Sequence, residues 1–375
     1  MRRGRKIHPN AFSIREFIVL LLRGGQQDIV RKTAGAFAIT PQAVRNQLNA
    51  MIKEGTIEAS GHTKARRYTL RPLVDVKESL PVNAFTEDAV WSKVIQPHIS
   101  DLPGNVKAIW GTVVTEMVNN VVDHSESSTI LVSLVRTLPM VTVTISDDGV
   151  GAFSKVRNAL GLSSDHQAAF ELSKGKFTTS PEAHSGLGIY FSSRMVDVFR
   201  MVSGSLSFIH KSNDEDWLLE DATAVKGTFV SMSIANDSKT TIQQVYDKYC
   251  TNPNDDNDFG FHKTHVPLSL AQFGNDPLVS RSQAKRVLAR VDRFMEVLLD
   301  FKGVEFVGQA FADEIFRVFQ LQHPNVKVFG INANAGVQKL INAARLMFHE
   351  QKSGVSAAGD IKQVAPLDGQ KESYD

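Results

Sequence analysis

The chain has 375 residues, 42% hydrophobic and 22% charged, an ordinary composition for a globular protein of two or three domains. A single cysteine excludes an internal disulfide and indicates a reducing compartment. The apolar run FIVLLL at 17–22 is too short to span a bilayer, so we expect a cytoplasmic protein with no membrane partner.

The net charge of +2 is unevenly distributed along the chain, because the N-terminal segment, residues 1–72, is strongly basic. Residues 1–72 hold 14 Lys and Arg against 4 Asp and Glu, a balance of +10, whereas the remaining residues carry a balance of −8. A basic N-terminal segment in an otherwise mildly acidic chain indicates that residues 1–72 bind a polyanion.

Three short helices and a basic hairpin are predicted within residues 1–72. Apolar spacing predicts helices in SIREFIVLLLRGG and in QQDIVRKTAGAFAI. In TPQAVRNQLNAMIKEG, Thr40 is suited to an N-cap and Pro41 to the first helical position, so a third helix is predicted there. The stretch TIEASGHTKARRYTL has the pattern of a strand, a basic turn and a second strand.

This order of elements resembles a winged helix-turn-helix, a family whose third helix enters the major groove and whose wing contacts phosphates. The resemblance implies duplex DNA as a partner of residues 1–72. The residues it assigns to DNA are Gln42, Arg45, Asn46 and Gln47 on the third helix and Lys64, Arg66 and Arg67 in the wing. A protein-interaction module with a solvated basic face is the alternative.

A long helix with a polar row is predicted next. Apolar residues from Trp110 to Val122 recur at helical spacing, and Glu116, Asn120 and His124 recur every four residues on another face. Taken alone, this pattern also describes any half-exposed helix. The runs TILVSLVRT and MVTVTISD then predict a β-hairpin whose second strand ends in DDGVGAF.

Two more glycine motifs follow. HSGLGIYF places Gly186 and Gly188 at the start of a helix, where free N–H groups can bind an anion. VKGTFVSMSI places Gly227 and Thr228 at the start of another strand. The polar residues 152–185 between the first two glycine motifs are expected to form a long functional or mobile loop.

The four motifs, E-x-x-x-N-x-x-x-H, D-x-G-x-G, G-x-G and G-T, occur in the order found in the GHKL ATP-binding fold. This part of the chain resembles that fold, which gyrase B, Hsp90, MutL and histidine kinases share, and is most similar to the anti-sigma-factor serine kinases. The resemblance covers about residues 85–235 and implies a domain at 80–236 with ATP and Mg²⁺ as cofactors.

The resemblance also implies roles for individual residues. Glu116 would be catalytic, positioning or deprotonating the attacking water or hydroxyl, and Asn120 would bind Mg²⁺. Asp147 would accept a hydrogen bond from the adenine amino group, and Thr228 would reach adenine through its hydroxyl. The remaining nucleotide-binding residues implied are Asp123, His124, Gly149, Gly151, Lys176, Gly186, Leu187 and Gly188, with 172–186 as a lid.

Strands alternate with helices after a polar break at 251–260, which predicts a small α/β sheet. Within it, Ser280 and Gln283 predict a capping-box helix start. The runs VSRSQAKR and LDFKGVEFVGQAFADEIF resemble the STAS-like fold of anti-anti-sigma factors. The predicted domain is 258–350, followed by a disordered tail at 351–375.

The STAS-like resemblance implies docking to a protein partner or self-association. Gln309 and Ala310 stand where regulators of that family carry a phosphorylatable serine, and neither has a hydroxyl. The resemblance therefore does not extend to regulation by phosphorylation at that position.

The sequence thus predicts an α/β (α+β) protein with a winged helix, a GHKL α/β sandwich and a small STAS-like α/β domain. The leading hypothesis is an Mg-ATP-binding regulator with slow hydrolysis, whose nucleotide state is coupled to DNA and partner binding. Two alternatives stay open: a protein serine/threonine kinase acting in trans, and an ATP-clamped subunit of a DNA-associated or defence complex. Whether ATP is hydrolysed, transferred or only bound is left open.

Overall fold

The computed structural model describes residues 13–23, 25–26, 28–61, 66–84, 86–177, 186–212, 216–249, 262–272 and 277–359. The chain divides into two compact units. The first takes residues up to 161 together with 191–214 and 219–245, and the second takes 162–190, 215–218 and the chain from 246 onward. Helices occur together with parallel and antiparallel strands, so the predicted mixture of α and β structure is confirmed.

Residues 1–72 contain three helices followed by a two-stranded sheet within their described part, which is the order of elements that the sequence predicted. They are α1 (Ile14–Arg23), α2 (Ile29–Phe37), α3 (Pro41–Lys53), β1 (Ile57–Ser60) and β2 (Arg67–Leu70). Helix α3 begins as expected, because the Thr40 hydroxyl accepts a hydrogen bond from the Ala43 N–H at 3.1 Å. Strands β1 and β2 pair antiparallel. The buried side chains that form their common core are Phe17, Ile18, Leu21, Ile29, Val44, Leu48, Met51 and Ile57.

A five-stranded sheet follows, with strand order β3-β4-β5-β7-β6. Its strands are β3 (Val74–Pro81), β4 (Thr129–Arg136), β5 (Met140–Asp147), β6 (Val198–Lys211) and β7 (Trp217–Ala235). The pairs β3–β4, β4–β5 and β5–β7 are antiparallel. Strand β3 pairs along its whole length with β4, so this sheet begins before the predicted domain boundary at residue 80.

Several helices lie between residues 87 and 249 of the sequence. They are α4 (Glu87–Ala89), a π-helical stretch (Val90–Ile95), a 3₁₀ turn (Gln96–His98), α5 (Gly104–His124), α6 (Ala152–Leu160), α7 (Asp165–Lys174), α8 (Gly188–Met195) and α9 (Ile242–Tyr249). The predicted long helix is α5, and its apolar stripe from Val106 to Val121 is buried. The helix thus presents its apolar stripe to the core and leaves Glu116 exposed.

The prediction of a long loop over residues 152–185 was wrong where the structure describes it. Helix α6 buries Phe153 and Val156, which lie three residues apart on one face. Helix α7 starts at the N-cap Ser164, whose hydroxyl accepts a hydrogen bond from the Gln167 N–H at 3.3 Å. The polar residues around these helices favoured a loop, although both helices carry apolar residues at helical spacing. Residues 178–185 lie outside the described part of the chain.

Gly227 and Thr228 lie within β7, although the sequence predicted them at the start of a strand. Pairing with β5 begins at Phe229, directly after them. Gly227 has a positive φ of 73°, so the regular strand conformation is interrupted at this residue. The run of strand residues that pairs with β5 therefore starts only after the glycine.

The C-terminal segment forms a three-stranded parallel sheet in the order β10-β9-β8. Its strands are β8 (Lys263–Pro267), β9 (Glu296–Asp300) and β10 (Lys327–Ile331). Its helices are α10 (Arg281–Leu288), α11 (Gln309–Asp313), which continues as a π-helix (Glu314–Phe319) and as α12 (Gln320–Gln322), and α13 (Ala335–Gly359). The alternation of strands and helices and the capping box of Ser280 with Gln283 are both as predicted.

Helix α13 continues through Gly359, into the tail that was expected to be disordered from residue 351. The rest of that tail and the predicted linker at 251–260 lie outside the described residues.

Candidate functional site

Asp147 is the last residue of β5. One carboxylate oxygen, Oδ1, accepts hydrogen bonds from the Gly149 N–H at 2.9 Å and the Thr228 N–H at 3.3 Å. Burial raises the pKa of this carboxyl above its ordinary value, and the two N–H groups act in the opposite direction. The backbone therefore fixes a partly desolvated carboxyl group at the end of a strand.

Glycine allows three backbone segments to meet around this carboxyl. A Cβ at Gly149 would lie 1.9 Å from the Ser125 carbonyl oxygen, just beyond the end of α5. A Cβ at Gly227 would lie 2.2 Å from the Asp147 carbonyl oxygen. The Val150 N–H also donates to the Ser125 carbonyl at 2.8 Å. The end of α5, the end of β5 and the glycine bend of β7 are thus in direct contact.

Thr228 and Gly151 join the start of α6 to the same place. The Thr228 hydroxyl accepts a hydrogen bond from the Ala152 N–H at 3.0 Å, at the first residue of α6. Gly151 has a φ of 84°, and a Cβ there would lie 2.6 Å from the Ser203 hydroxyl oxygen. Asp147, Gly149, Gly151 and Thr228 are therefore brought together, and the two glycines leave room for the Ser125 carbonyl and the Ser203 hydroxyl to pack against this turn.

The polar row of α5 follows the helix toward this cluster. Glu116 and Asp123 are exposed, whereas Asn120 and His124 are half-buried. The Asn120 amide nitrogen lies 3.9 Å from the Met117 sulfur. An amide oxygen suits a hard cation, so Asn120 is compatible with Mg²⁺.

Lys155 on α6 is a residue of this region that the sequence did not indicate. Its ammonium donates to the His124 carbonyl at 2.8 Å and forms an ion pair with Glu126 at 3.1 Å. A cation at this position stabilises the C-terminal end of α5. The only signal for it was a lysine four residues after Gly151, which is too common to single out.

Asp148, next to Asp147, has different surroundings. It is exposed and accepts hydrogen bonds from the Ser127 hydroxyl at 2.5 Å and the Lys226 ammonium at 3.2 Å. These two donors hold the pKa of its carboxyl below the ordinary value. The two neighbouring aspartates are thus distinguished by burial and by hydrogen-bond partners.

The remaining predicted nucleotide residues lie in the second unit. Lys176 donates to the Arg293 carbonyl at 2.9 Å, so its ammonium is engaged within that unit. Gly186 has a φ of 70°, and its carbonyl accepts a hydrogen bond from the Phe177 N–H at 3.2 Å. Leu187 follows it, and Gly188 begins α8 as predicted. Residues 178–185 of the predicted lid lie outside the described residues.

The predicted DNA-facing residues fall on one helix and one hairpin. On α3, Gln42, Arg45 and Asn46 are exposed, whereas the Gln47 side-chain oxygen accepts a hydrogen bond from Arg15 at 3.1 Å. Arg66 and Arg67 are exposed at the start of β2. Lys64 lies outside the described residues.

Polar side chains also meet at the C-terminal sheet. Asp300 ends β9, and its carboxylate accepts hydrogen bonds from His265 on β8 and from Asn332 just after β10, each at 2.9 Å. Burial would raise the pKa of Asp300, but these donors and the Lys302 N–H together hold it below the ordinary value. The carboxylate thus ties together three neighbouring strands.

The comparisons with known proteins bear on this C-terminal segment. Residues 283–337 match the family model described as a STAS-like domain of unknown function (DUF4325). The prediction of a STAS-like domain is therefore supported over these residues, and such a domain suggests interaction with a protein. No curated protein matches the chain. Within the described residues, no helix combines the length and the apolar character that crossing a membrane requires.

Proposed function

We propose that the chain is a nucleotide-dependent regulator of the GHKL type. In this proposal the sheet domain binds Mg-ATP, residues 1–72 bind duplex DNA and the STAS-like domain binds a protein partner. The observation that carries the proposal is the meeting of α5, β5 and β7 at the half-buried Asp147, where side chains are excluded at Gly149 and Gly227.

In this proposal, the Asp147 carboxylate makes the site selective for adenine over guanine. An ionised carboxylate can only accept hydrogen bonds, so it accepts from the adenine amino group and repels the guanine carbonyl oxygen. Two backbone N–H groups fix its orientation before any ligand arrives. Gly149 and Gly151 let the Ser125 carbonyl and the Ser203 hydroxyl pack against the turn after Asp147, which holds this turn beside the carboxylate.

Asn120 and Glu116 supply the chemistry on the phosphate side. Bound Mg²⁺ would neutralise charge on the phosphate oxygens, with the Asn120 amide oxygen as a protein ligand. Glu116 lies one turn earlier on the same helix and is exposed, so its carboxylate can take a proton from a water or hydroxyl. His124 and Asp123 lie one turn further on and would border the phosphate or ribose.

Transfer of the γ-phosphate to a protein hydroxyl is the second candidate function. The pair Glu116 and Asn120 could serve this reaction as well as hydrolysis, because the phosphate acceptor can be a hydroxyl or a water. Against transfer within the chain, α11 begins with Gln309 and Ala310, which have no hydroxyl. Incubation with ATP labelled at the γ-phosphate separates these reactions. We expect slow release of free phosphate, roughly 10²- to 10⁴-fold slower in Glu116→Gln, as for loss of a general base. Labelled protein would instead favour the kinase.

DNA binding is proposed from charge and geometry together. Residues 1–72 carry a balance of +10, and α3 exposes Gln42, Arg45 and Asn46 along one helix. The hairpin adds Arg66 and Arg67. Gln47 has a smaller role, because its side-chain oxygen is already bound by Arg15.

Replacing Arg66 and Arg67 together by alanine is expected to weaken duplex binding and to make it less sensitive to salt. Each lost phosphate contact lowers the slope of log K against log salt by about 0.9, so the double variant should lose about 1.8. Fluorescence anisotropy with labelled duplex at several salt concentrations measures the slope. Arg31→Ala on α2, where the arginine pairs with Asp28, is the control and should leave the slope unchanged. Equal binding by a chain lacking residues 1–72 would contradict the proposal.

A further inference from the structure

Two amide side chains on α3, those of Gln42 and Asn46, are hydrogen-bonded to each other. The residues lie four positions apart, so they project from the same face of the helix in neighbouring turns. The Gln42 side-chain nitrogen donates to the Asn46 side-chain oxygen at 3.1 Å. Both residues are exposed, so the pair is accessible to a large partner that approaches α3 from solvent.

This hydrogen bond sets the orientation of the Asn46 amide. An amide oxygen has two lone pairs, and the NH₂ group beside it has two donors. The Asn46 oxygen accepts from Gln42 with one lone pair, and its second lone pair can accept from a ligand. Asn46 therefore presents an acceptor and a donor side by side in a fixed order. Turning the amide over would place its NH₂ group against the NH₂ group of Gln42.

Helix α3 is held on a different side by Arg15 of α1. The Arg15 guanidinium donates to both carboxylate oxygens of Glu54, at 2.8 and 3.0 Å, and to the Gln47 side-chain oxygen at 3.1 Å. Gln47 and Glu54 are seven residues apart, so they share a side of the helix that lies roughly 110° around from the Gln42–Asn46 pair. The contacts with α1 thus fix the helix and leave the pair on its exposed side.

The pair also lies near the beginning of α3. Pro41 is the first residue of the helix and follows the N-cap Thr40, so Gln42 and Asn46 lie in the first two turns. In helix-turn-helix proteins the N-terminal residues of the recognition helix contact base edges in the major groove. With α3 bound to DNA as proposed above, the pair is placed at base edges.

Adenine is the base that matches the two groups of Asn46. In the major groove adenine offers an amino donor at N6 and an acceptor at N7, and a side-chain amide can bind both at once. Guanine offers two acceptors, O6 and N7, so the Asn46 oxygen would face another lone pair. Cytosine offers only a donor, and thymine offers only an acceptor and a methyl group.

We propose that Asn46 reads one adenine in the major groove and that Gln42 is the positioning residue that orients its amide. The ligand is thus a duplex with an A·T pair at one fixed position of the site. This inference rests on the proposed function, because it requires that α3 binds duplex DNA. It adds base selectivity, which the phosphate contacts proposed for Arg66 and Arg67 do not supply, since phosphates are the same at every base pair.

Selection from a library of random duplexes tests the inference with the full-length chain. Wild type, Asn46→Ala and Gln42→Met are compared, and the bound duplexes are sequenced. Asn342→Ala is the matched control, because Gln338 donates to Asn342 at 2.9 Å across the same four-residue spacing on α13. The control removes the same kind of contact outside residues 1–72. Circular dichroism checks that each variant is folded.

Wild type and Asn342→Ala should enrich adenine at one fixed position of the selected site. Asn46→Ala should lose roughly 5- to 100-fold of the discrimination at that position and keep its preferences at the others. Gln42→Met should lose part of the same discrimination, because the Asn46 amide can then turn over. An adenine preference that is unchanged in Asn46→Ala would overturn the inference.

Replacing the selected adenine by 7-deazaadenine tests the contact at the level of single atoms. This base keeps the N6 amino group and the pairing with thymine but has a C–H group in place of N7. It should weaken wild-type binding roughly 5-fold or more and Asn46→Ala binding no further, because both changes remove one interaction. Equal weakening in the two proteins would contradict the assignment to Asn46.

The same selection separates this inference from the proposed DNA binding. A wild type that binds duplex without any base preference would overturn the inference and leave the proposed DNA binding intact. A wild type that binds no duplex, with or without Mg-ATP, would overturn the proposed DNA binding and the inference with it.

Discussion

Asp147→Asn is expected to weaken ATP binding by roughly 10- to 100-fold, because hydrogen bonds to charged groups contribute about 1.5–3 kcal/mol each. The wild-type carboxylate accepts from the Gly149 and Thr228 N–H groups through one oxygen, and these bonds fix its orientation. In the proposed function, its other oxygen accepts from the adenine amino group. An asparagine can turn its amide nitrogen toward the adenine amino group, which places two donors against each other. Isothermal titration with Mg-ATP measures the loss.

Asp148→Asn is the matched control for this substitution. Asp148→Asn removes the same negative charge one residue away. Asp148, however, is exposed, and its carboxylate is hydrogen-bonded to Ser127 and Lys226. Its replacement should leave the ATP affinity within about twofold, since surface ion pairs contribute little. Equal losses in the two variants, or no loss in Asp147→Asn, would show that the adenine assignment is wrong.

Gly149→Ala is expected to disrupt both the fold of the sheet domain and the nucleotide site proposed there. The added Cβ would lie 1.9 Å from the Ser125 carbonyl oxygen, and this atom belongs to the backbone, so no side-chain rotation relieves the contact. Overpacking of this kind destabilises by about 3 kcal/mol. Urea unfolding followed by circular dichroism measures the free energy of unfolding, and titration of the folded fraction measures ATP binding.

Gly104→Ala serves as the control for that variant. Gly104 is the first residue of α5, and a Cβ there would meet no atom within 4 Å. Alanine favours helix, so the free energy of unfolding should stay equal or rise by up to about 1 kcal/mol. A Gly149→Ala protein as stable as Gly104→Ala would contradict the close contact between the end of α5 and the D-x-G-x-G turn.

Elements with local start and stop signals could be predicted from the sequence. Thr40 with Pro41 marked the start of α3, and Ser280 with Gln283 marked the start of α10. Alternating apolar residues predicted the antiparallel hairpin that ends at Asp147. In each case a few neighbouring residues decide the structure, so no knowledge of distant contacts was needed.

Helix α7 has a local start signal at Ser164, but its burial could not be predicted, because the partners that bury it lie far along the chain. Lys174 has the appearance of a surface residue in a polar stretch, and only the carbonyls of Arg286 and Ala289 explain its burial. Thr264, ninety positions from Lys174, supplies another of its contacts. A charged residue that is buried by a remote segment leaves no periodic signal.

The candidate site was predictable in part. The motifs indicated Asp147, Gly149 and Thr228, and the structure brings these residues into one cluster. Lys155 and Ser125 were missed, because the first acts on the end of a helix and the second through its backbone carbonyl. Residue types alone carry no information on such backbone contacts.

The central claim is that the cluster at Asp147 selects and binds adenine nucleotide. Titration of the full-length wild type with ATP and with GTP, each in the presence of Mg²⁺, tests it most directly. We expect saturable binding of ATP and at least tenfold weaker binding of GTP, since each tenfold corresponds to about 1.4 kcal/mol. Equal affinities for the two nucleotides, or no binding of ATP, would contradict the claim.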